Sequence, residues 1–286
     1  MRMLDLDGSV AVVTGASRGL GLSIAAQLAS QQCKVALVAR NLPGLEETAD
    51  RIQRNTDAEV IAVPADITVP GDRREIVERV EDRFGSIDVL ANVAGIGHFT
   101  RFVDDDPRRM FAINLEAPIA LSRLVLPAMV QRGRGSLLNV ASLAGEVGIP
   151  YLANYSATKA GLTAFSVALR EELRGTGVGV TSVSPGFMVD EGMYVPYQTP
   201  APWYFGSNYA EVVARKSVLA MRKNRSEVIV NRLPIRPMLV LGRISERSMR
   251  AIHRTLGVTK FTRSLADKRL PYSDSPQLYE VDETAA

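Results

Sequence analysis

Thr14-Gly15-Ala16-Ser17-Arg18-Gly19-Leu20-Gly21 is the stretch on which the fold of this 286-residue chain turns. It follows Val10–Thr14, a β-branched run of strand type, and leads into Leu20–Gln31, where apolar residues recur at helical spacing. Glycines at such a strand-to-helix turn let the backbone double back and approach a pyrophosphate closely. The helix start adds free N–H groups and the positive end of its dipole. The spacing is Gly-x3-Gly-x-Gly, not the Gly-x-Gly-x-x-Gly of the general dinucleotide fingerprint. A βα connection without a ligand uses glycines too, so the turn gains its weight from opening the first βα unit of the chain.

Outward from the turn, strand-type runs at Lys34–Ala39, Glu59–Val63, Val89–Asn92, Ser136–Val140, Val178–Val183 and Glu227–Val230 alternate with helical patterns such as Leu45–Arg54 and Arg73–Phe84. Alternation of this kind means parallel strands joined by helical crossovers. The expected architecture is α/β, a doubly wound parallel β-sheet of the Rossmann kind with helices on both faces. Two longer helices are expected. One starts at Asp106-Pro107, with Asp104–Asp106 read as capping acids, and one covers Tyr151–Arg174, ending before Gly175 and Gly177.

The second strand bears on the ligand. Its end reads Val38-Ala39-Arg40-Asn41, with no acid before Glu46. A carboxylate there would accept the ribose hydroxyls of NAD and repel a 2′-phosphate. Arg40 and Arg18 instead offer guanidinium groups suited to that phosphate, so NADP (NADPH) is the expected cofactor. The plainer reading of the same positions is two solvated surface arginines.

Tyr155 and Lys159 lie four apart on a helix and share a face. Ser142 follows the fifth strand, at the carboxyl edge where open sheets place ligands. A free phenol titrates at about 10. A nearby ammonium lowers that value and makes Tyr155 a candidate general acid/base, with Ser142 holding the substrate oxygen.

These residues, taken together, make the chain resemble the short-chain dehydrogenase/reductase family. The matching positions are Thr14-Gly15-x3-Gly19-x-Gly21, Asp66, Asn92-Val93-Ala94-Gly95, Asn114, Ser142, Tyr155-x3-Lys159 and Pro185-Gly186. Their order and spacing fit the shorter, single-domain form of the family, and the match runs from about Gly8 to Val230. The resemblance implies that Tyr155 exchanges the proton with the substrate oxygen. It implies that Lys159 lowers the tyrosine pKa and binds the nicotinamide ribose, and that Ser142 orients the carbonyl. It further implies that Asn114 holds a water linking Lys159 to solvent, and that Asp66 with Ile67 contacts the adenine. Asn92, Ala94 and Gly95 would line the cofactor, and Pro185-Gly186 would sit against the nicotinamide. Gly15, Ser17, Arg18, Gly19, Leu20, Gly21, Arg40 and Asn41 complete the expected cofactor surface.

Two departures stand out. The family usually reads Asn-Asn-Ala-Gly where this chain has Val93 in second place, so one polar contact is lost. Many members carry a threonine soon after Pro-Gly that bonds the nicotinamide amide. Here Phe187-Met188-Val189-Asp190-Glu191-Gly192 follows, with no threonine until Thr199.

Phe187, Tyr194, Tyr197, Trp203, Tyr204, Phe205 and Tyr209 crowd into the stretch that forms the substrate lid in the resembled family, about 187–223. An aromatic lid points to a lipophilic carbonyl or alcohol of steroid, retinoid, quinone or lipid type, and hence to lipid metabolism. The competing reading is that the rings pack the lid onto the sheet. A 3-oxoacyl-thioester (CoA or carrier-protein) reductase is the alternative activity, and a catalytically inactive NADP-binding regulatory protein a third. His98, behind Gly95, is read as a rim residue without a catalytic role.

The net charge of +3 hides unequal parts: residues 1–210 carry 19 Lys/Arg against 23 Asp/Glu, and 211–270 carry 15 against 4. Residues 271–286 hold four acids and no base. On this reading 1–230 is a single catalytic domain and 231–286 a C-terminal extension, basic and then acidic. The basic run is a solvated surface, a peripheral membrane contact through Met238–Leu241 and Ile244, or a funnel for an acidic carrier. Nucleic acid is not expected, since no accompanying motif is present. Cys33 is the sole cysteine, so no intramolecular disulfide forms and a reducing, cytoplasmic setting is expected, membrane-peripheral if the basic run meets lipid. The acids of Met1–Gly8 do not fit a secretion signal, and no run approaches the 18 apolar residues of a spanning helix. His98 and His253 lack ligand-spaced partners, so no metal site is expected. A homo-oligomer, dimer or tetramer, is what the resemblance implies, through the helices holding Asn114 and Tyr155.

Overall fold

The seven strand-type runs form one parallel sheet. The structure is a computed structural model that describes residues 4–190 and 192–270. Strands β1 (Val10–Thr14), β2 (Lys34–Ala39), β3 (Val60–Pro64), β4 (Val89–Asn92), β5 (Gly135–Val140), β6 (Val178–Pro185) and β7 (Glu227–Val230) lie in the order β3-β2-β1-β4-β5-β6-β7. β1, β4, β5 and β6 are buried throughout, which is why they read as continuous apolar runs rather than alternating ones.

Both faces are covered. Helices α1 (Gly19–Ala29), α2 (Leu42–Asn55) and α8 (Ala210–Arg222) bury Ile24, Leu28, Leu45, Ile52, Val213 and Val218 against one face. On the other lie α3 (Pro70–Phe84), α4 (Arg108–Phe111) running through a π-helical turn into α5 (Ala117–Arg132), and α7 (Ala153–Glu172). Short α6 (Leu143–Glu146) joins β5 to α7. The segment Arg108–Arg132 is long and apolar enough to cross a membrane, yet Met110, Leu121, Val125 and Met129 bury it against the sheet, as in a core helix.

Two expectations need correction. First, the lid does not reach residue 223: α8 is a core helix whose Val213, Val218 and Met221 pack with α1, so the lid ends near Tyr209. Second, of Asp104–Asp106 only Asp106 caps a helix, accepting from Arg108 N at 3.2 Å. Asp104 pairs with Arg101, and Asp105 accepts from Asn154 Nδ2 at 2.8 Å and faces His98 at 3.5 Å. The extension packs on the body. It forms α9 (Arg236–Ile244), α10 (Glu246–Thr255) and α11 (Val258–Ala266), and α11 lies on the lid. Fully burying an aliphatic side chain is worth about 1.5–3 kcal/mol, so Leu265 and Val258 alone anchor α11 firmly. Glu191 and the acidic run 271–286 lie outside the described residues.

Candidate active site

The sheet reverses its winding between β1 and β4, and ligands of open sheets bind in the crevice beyond such a point. The glycine-rich turn forms the floor there. Gly15 has φ +68°, and a Cβ on it would stand 2.8 Å from Ala94 Cα; a Cβ on Gly21 would run into the Gly15 carbonyl. The backbone of the turn is therefore held close to β4 and open toward the crevice. Thr14 fixes it, its Oγ1 accepting from Val93 N at 3.0 Å and Ala94 N at 3.1 Å. α1 starts at Gly19 with Arg18 at its N-cap, and no side chain among the described residues caps it. Its first-turn N–H groups thus retain the capacity to bind an anion.

Beside this floor lies the end of β2, where the sequence places the adenosine expectation. Ser17 is tied to α2 by Thr48 Oγ1, which donates to its carbonyl at 3.2 Å, and Asn41 Nδ2 and Ser17 Cβ both border Gly44. Burial pushes the Asp66 carboxyl up, but hydrogen bonds from Thr68 N and Oγ1 (2.9 and 2.7 Å) and the Arg40 and Arg109 guanidiniums hold it below the ordinary carboxylate range. Arg40 and Asp66 thus share one edge, with Ile67 buried behind them. Asn92 turns its amide inward: Nδ2 donates to Asn139 Oδ1 at 2.8 Å, and Asn139 in turn to Ser166 Oγ at 2.9 Å. Its contribution is to fix the end of β4, while Ala94 and Gly95 border the crevice.

The chemical end gathers Ser142, Tyr155, Lys159 and Asn114. Ser142 caps α6, its Oγ accepting from Ala144 N at 3.1 Å while hydrogen-bonded to the Tyr155 phenol. Lys159, 3% exposed, donates from Nζ to Val140 O at 2.8 Å and stands 5.7 Å from the Tyr155 ring centroid. Asn114 sits in the π-helical turn Ala112–Glu116; Nδ2 donates to Ile96 O (2.8 Å) and Thr158 Oγ1 (3.2 Å), and Oδ1 accepts from Ile96 N (2.8 Å). A Cβ on Gly95 would lie 3.2 Å from Lys159 Nζ and 3.4 Å from Asn114 Oδ1, so Gly95 leaves the space where these groups meet. Gly97 admits the Tyr155 ring, since a Cβ there would come within 2.6 Å of Tyr155 Cδ2 and 2.8 Å of Met193 Cε.

Electrostatics favours proton donation. Burial raises the Tyr155 pKa and the hydrogen bond from Ser142 opposes it, so the phenol keeps its proton at neutral pH. The expected lowering by Lys159 is therefore corrected: burial and the Ser142 bond set the Tyr155 value, the net shift is upward, and the ammonium stands 5.7 Å from the ring centroid. Burial also pushes Lys159 down to about 8, so Nζ is mostly an ammonium at neutral pH and loses its charge as pH rises through that value. Proton donation by this cluster is accordingly expected to hold steady below about pH 7 and to fall as pH rises through the Lys159 value of about 8. A kcat profile that stays flat through pH 9 would contradict this role for the lysine.

After β6, Gly186 N donates to Val230 O at 3.0 Å, which fixes Pro185-Gly186 at the carboxyl end of the strand. The lid is pinned at its base by Asn208 N donating to Phe187 O (2.9 Å), and Asp190 caps α8 by accepting from Ala210 N (3.0 Å). Its rings mostly pack on one another. Phe187 meets Tyr194 edge-on at 5.0 Å and stacks on Phe205 at 5.2 Å, and Phe261 from α11 meets Phe205 at 5.3 Å. Tyr197 Oη accepts from Phe99 N at 2.9 Å. Lys268 Nζ donates to Tyr197 O (2.5 Å) and Thr199 Oγ1 (2.7 Å), which commits Thr199 to the extension. Trp203 and Tyr209 face outward. Thr14, Asn139, Gly97, Met193, Phe261 and Lys268 thus shape the site although the local sequence gave them no role. Only the Thr14-Gly15 pairing hinted at one of them.

Residues 9–196 match the family model described as short chain dehydrogenase. A curated relative, the ketoacyl reductase HetN of a Nostoc species, is 39% identical over 276 residues, covering 94% of this chain and 96% of its own. Among solved structures, a metagenomic short-chain oxidoreductase in complex with NADP superposes with TM-score 0.69 at 31% identity, over 81% of this chain and all of its own. L-sorbose reductase of Gluconobacter frateurii, complexed with NADPH and L-sorbose, gives TM-score 0.71 at 26% identity, over 80% of this chain and 97% of its own. The glycine turn beneath Ala94, the Ser142–Tyr155–Lys159 cluster and these matches agree: the chain belongs to the short-chain dehydrogenase/reductase family of oxidoreductases.

Proposed function

We propose that the chain is an NADP(H)-dependent oxidoreductase that interconverts a carbonyl and an alcohol on a lipophilic small molecule. The observation that carries this reading is the juxtaposition of Ser142, a buried Tyr155 phenol and Lys159 beside the open space at Gly95. The cofactor fits the residues present. The turn at Gly15–Gly21 and the start of α1 would hold the pyrophosphate, Arg18 and Arg40 the 2′-phosphate, and Asp66 with Ile67 the adenine. Two neighbours in fold are solved with NADP or NADPH, in keeping with the arginines and the absence of an acid at the end of β2. When bound, the nicotinamide supplies or accepts the hydride. Ser142 orients the substrate oxygen, Tyr155 gives or takes the proton at Oη, and Lys159 biases that exchange through its charge. Asn114 positions Ile96 and the helix turn behind Lys159 and is placed to order a water there.

The apolar character of the substrate rests on Phe187, Tyr194 and Met193, which gather in one apolar cluster with Tyr155. A 3-oxoacyl thioester is the second reading, favoured by the near end-to-end match to a ketoacyl reductase. Assaying NADPH oxidation with free lipophilic ketones and with matched 3-oxoacyl thioesters decides between them; faster turnover of the thioesters selects the second. A homo-oligomer through α5 and α7 is supported by the apolar side chains Ile119, Leu124 and Val167 on their outer faces.

A further inference from the structure

The extension carries an apolar stripe that the catalytic reading does not use. In α9, Leu239 faces inward at 4% exposure, whereas Val240, Leu241 and Ile244 are 55%, 46% and 78% exposed. With exposed Pro237 they fall at i, i+3, i+4 and i+7, a single stripe on the outer side of the helix. Arg236 at its start and Arg247 just past its end are also exposed. Trp203, 82% exposed, adjoins the approach to this helix, because Arg232 N donates to Gly206 O at 2.8 Å directly after the turn Trp203–Phe205. Residues 231–270 hold ten Lys/Arg against two acids, Glu246 and Asp267.

We propose that this face docks the enzyme on an anionic lipid bilayer, with α9 lying in the headgroup plane. A second copy of the chain is a poor occupant, since the exposed arginines at both ends of the stripe, Arg236 and Arg247, would face arginines of the other copy. An apolar stripe with a basic border is the pattern of an interfacial helix: the apolar side chains enter the acyl boundary and the arginines meet lipid phosphates. The inference is independent of which carbonyl compound is reduced. Through α11 and Phe261, the same extension lies on the lid, which places the bilayer beside the way into the site.

The test is co-sedimentation of the full chain with phosphatidylglycerol and with phosphatidylcholine vesicles, at low and at raised salt. Binding to the anionic vesicles, weakened by salt, is expected. Replacing Val240, Leu241 and Ile244 together by serine should weaken it about tenfold or more. Arg236→Gln and Arg247→Gln should each weaken it roughly fivefold. All variants should retain NADPH turnover, which shows that they fold. Equal sedimentation of the triple-serine variant and the parent would overturn the proposal. So would equal binding to the two lipids, or an apolar stripe whose loss abolishes self-association while leaving vesicle binding unchanged.

Discussion

Tyr155→Phe is expected to lower kcat by about 10²–10⁴-fold, the span that a positioned general acid contributes, while leaving the affinity for NADPH nearly unchanged. The ring keeps its place on Gly97, so packing is preserved. What is lost is the phenol oxygen to which Ser142 donates, together with the proton that burial keeps on it at neutral pH. Stopped-flow turnover alongside a fluorescence titration of NADPH separates the two quantities. Substantial residual turnover would remove Tyr155 from the proton-transfer step, and a parallel collapse of NADPH affinity would make its role one of binding.

Replacing Arg18 and Arg40 by glutamine should reduce the preference for NADPH over NADH by about 10²-fold or more, since a hydrogen bond to a charged group is worth about 1.5–3 kcal/mol. Arg40 carries the larger share on geometric grounds: its guanidinium lies close enough to Asp66 to help hold that carboxylate ionised, at the adenine edge of the crevice. Removing Arg40 also leaves Asp66 with Arg109 beside it, so the variant should tolerate the uncharged ribose of NADH better than the parent does. The ratio of kcat/KM for the two cofactors is the measurement. An unchanged ratio would mean that the arginines are solvated surface, as their exposure alone would allow.

The sheet was legible because its strands are buried on both faces and so read as short β-branched runs, with Val10–Thr14 and Val178–Pro185 as clear cases. Gly15, Tyr155 and Lys159 were legible because their chemistry depends on local spacing: a turn in one case, one helix face in the other. What stayed hidden depends on contacts between distant parts of the chain. The apolar face of α8 looks like any amphipathic helix, and only its packing on α1 removes it from the lid. The π-helical turn that presents Asn114 leaves no mark in periodicity. Phe261 meets Phe187 and Phe205 from 74 and 56 residues away along the chain, and Lys268 grips Tyr197 and Thr199 from 71 and 69 residues away. Charge placed the extension at the surface, but gave no hint that its inner side closes the lid.

The central claim is hydride exchange between NADPH and a lipophilic carbonyl at Tyr155. The most direct measurement is NADPH oxidation, matched mole for mole with alcohol formed, across steroid, retinoid, quinone and 3-oxoacyl ketones with a small sugar ketone as reference. Turnover of at least one lipophilic class well above the sugar, absent in Tyr155→Phe, is the predicted result. No NADPH oxidation with any of them, or a clear preference for the sugar, would contradict it.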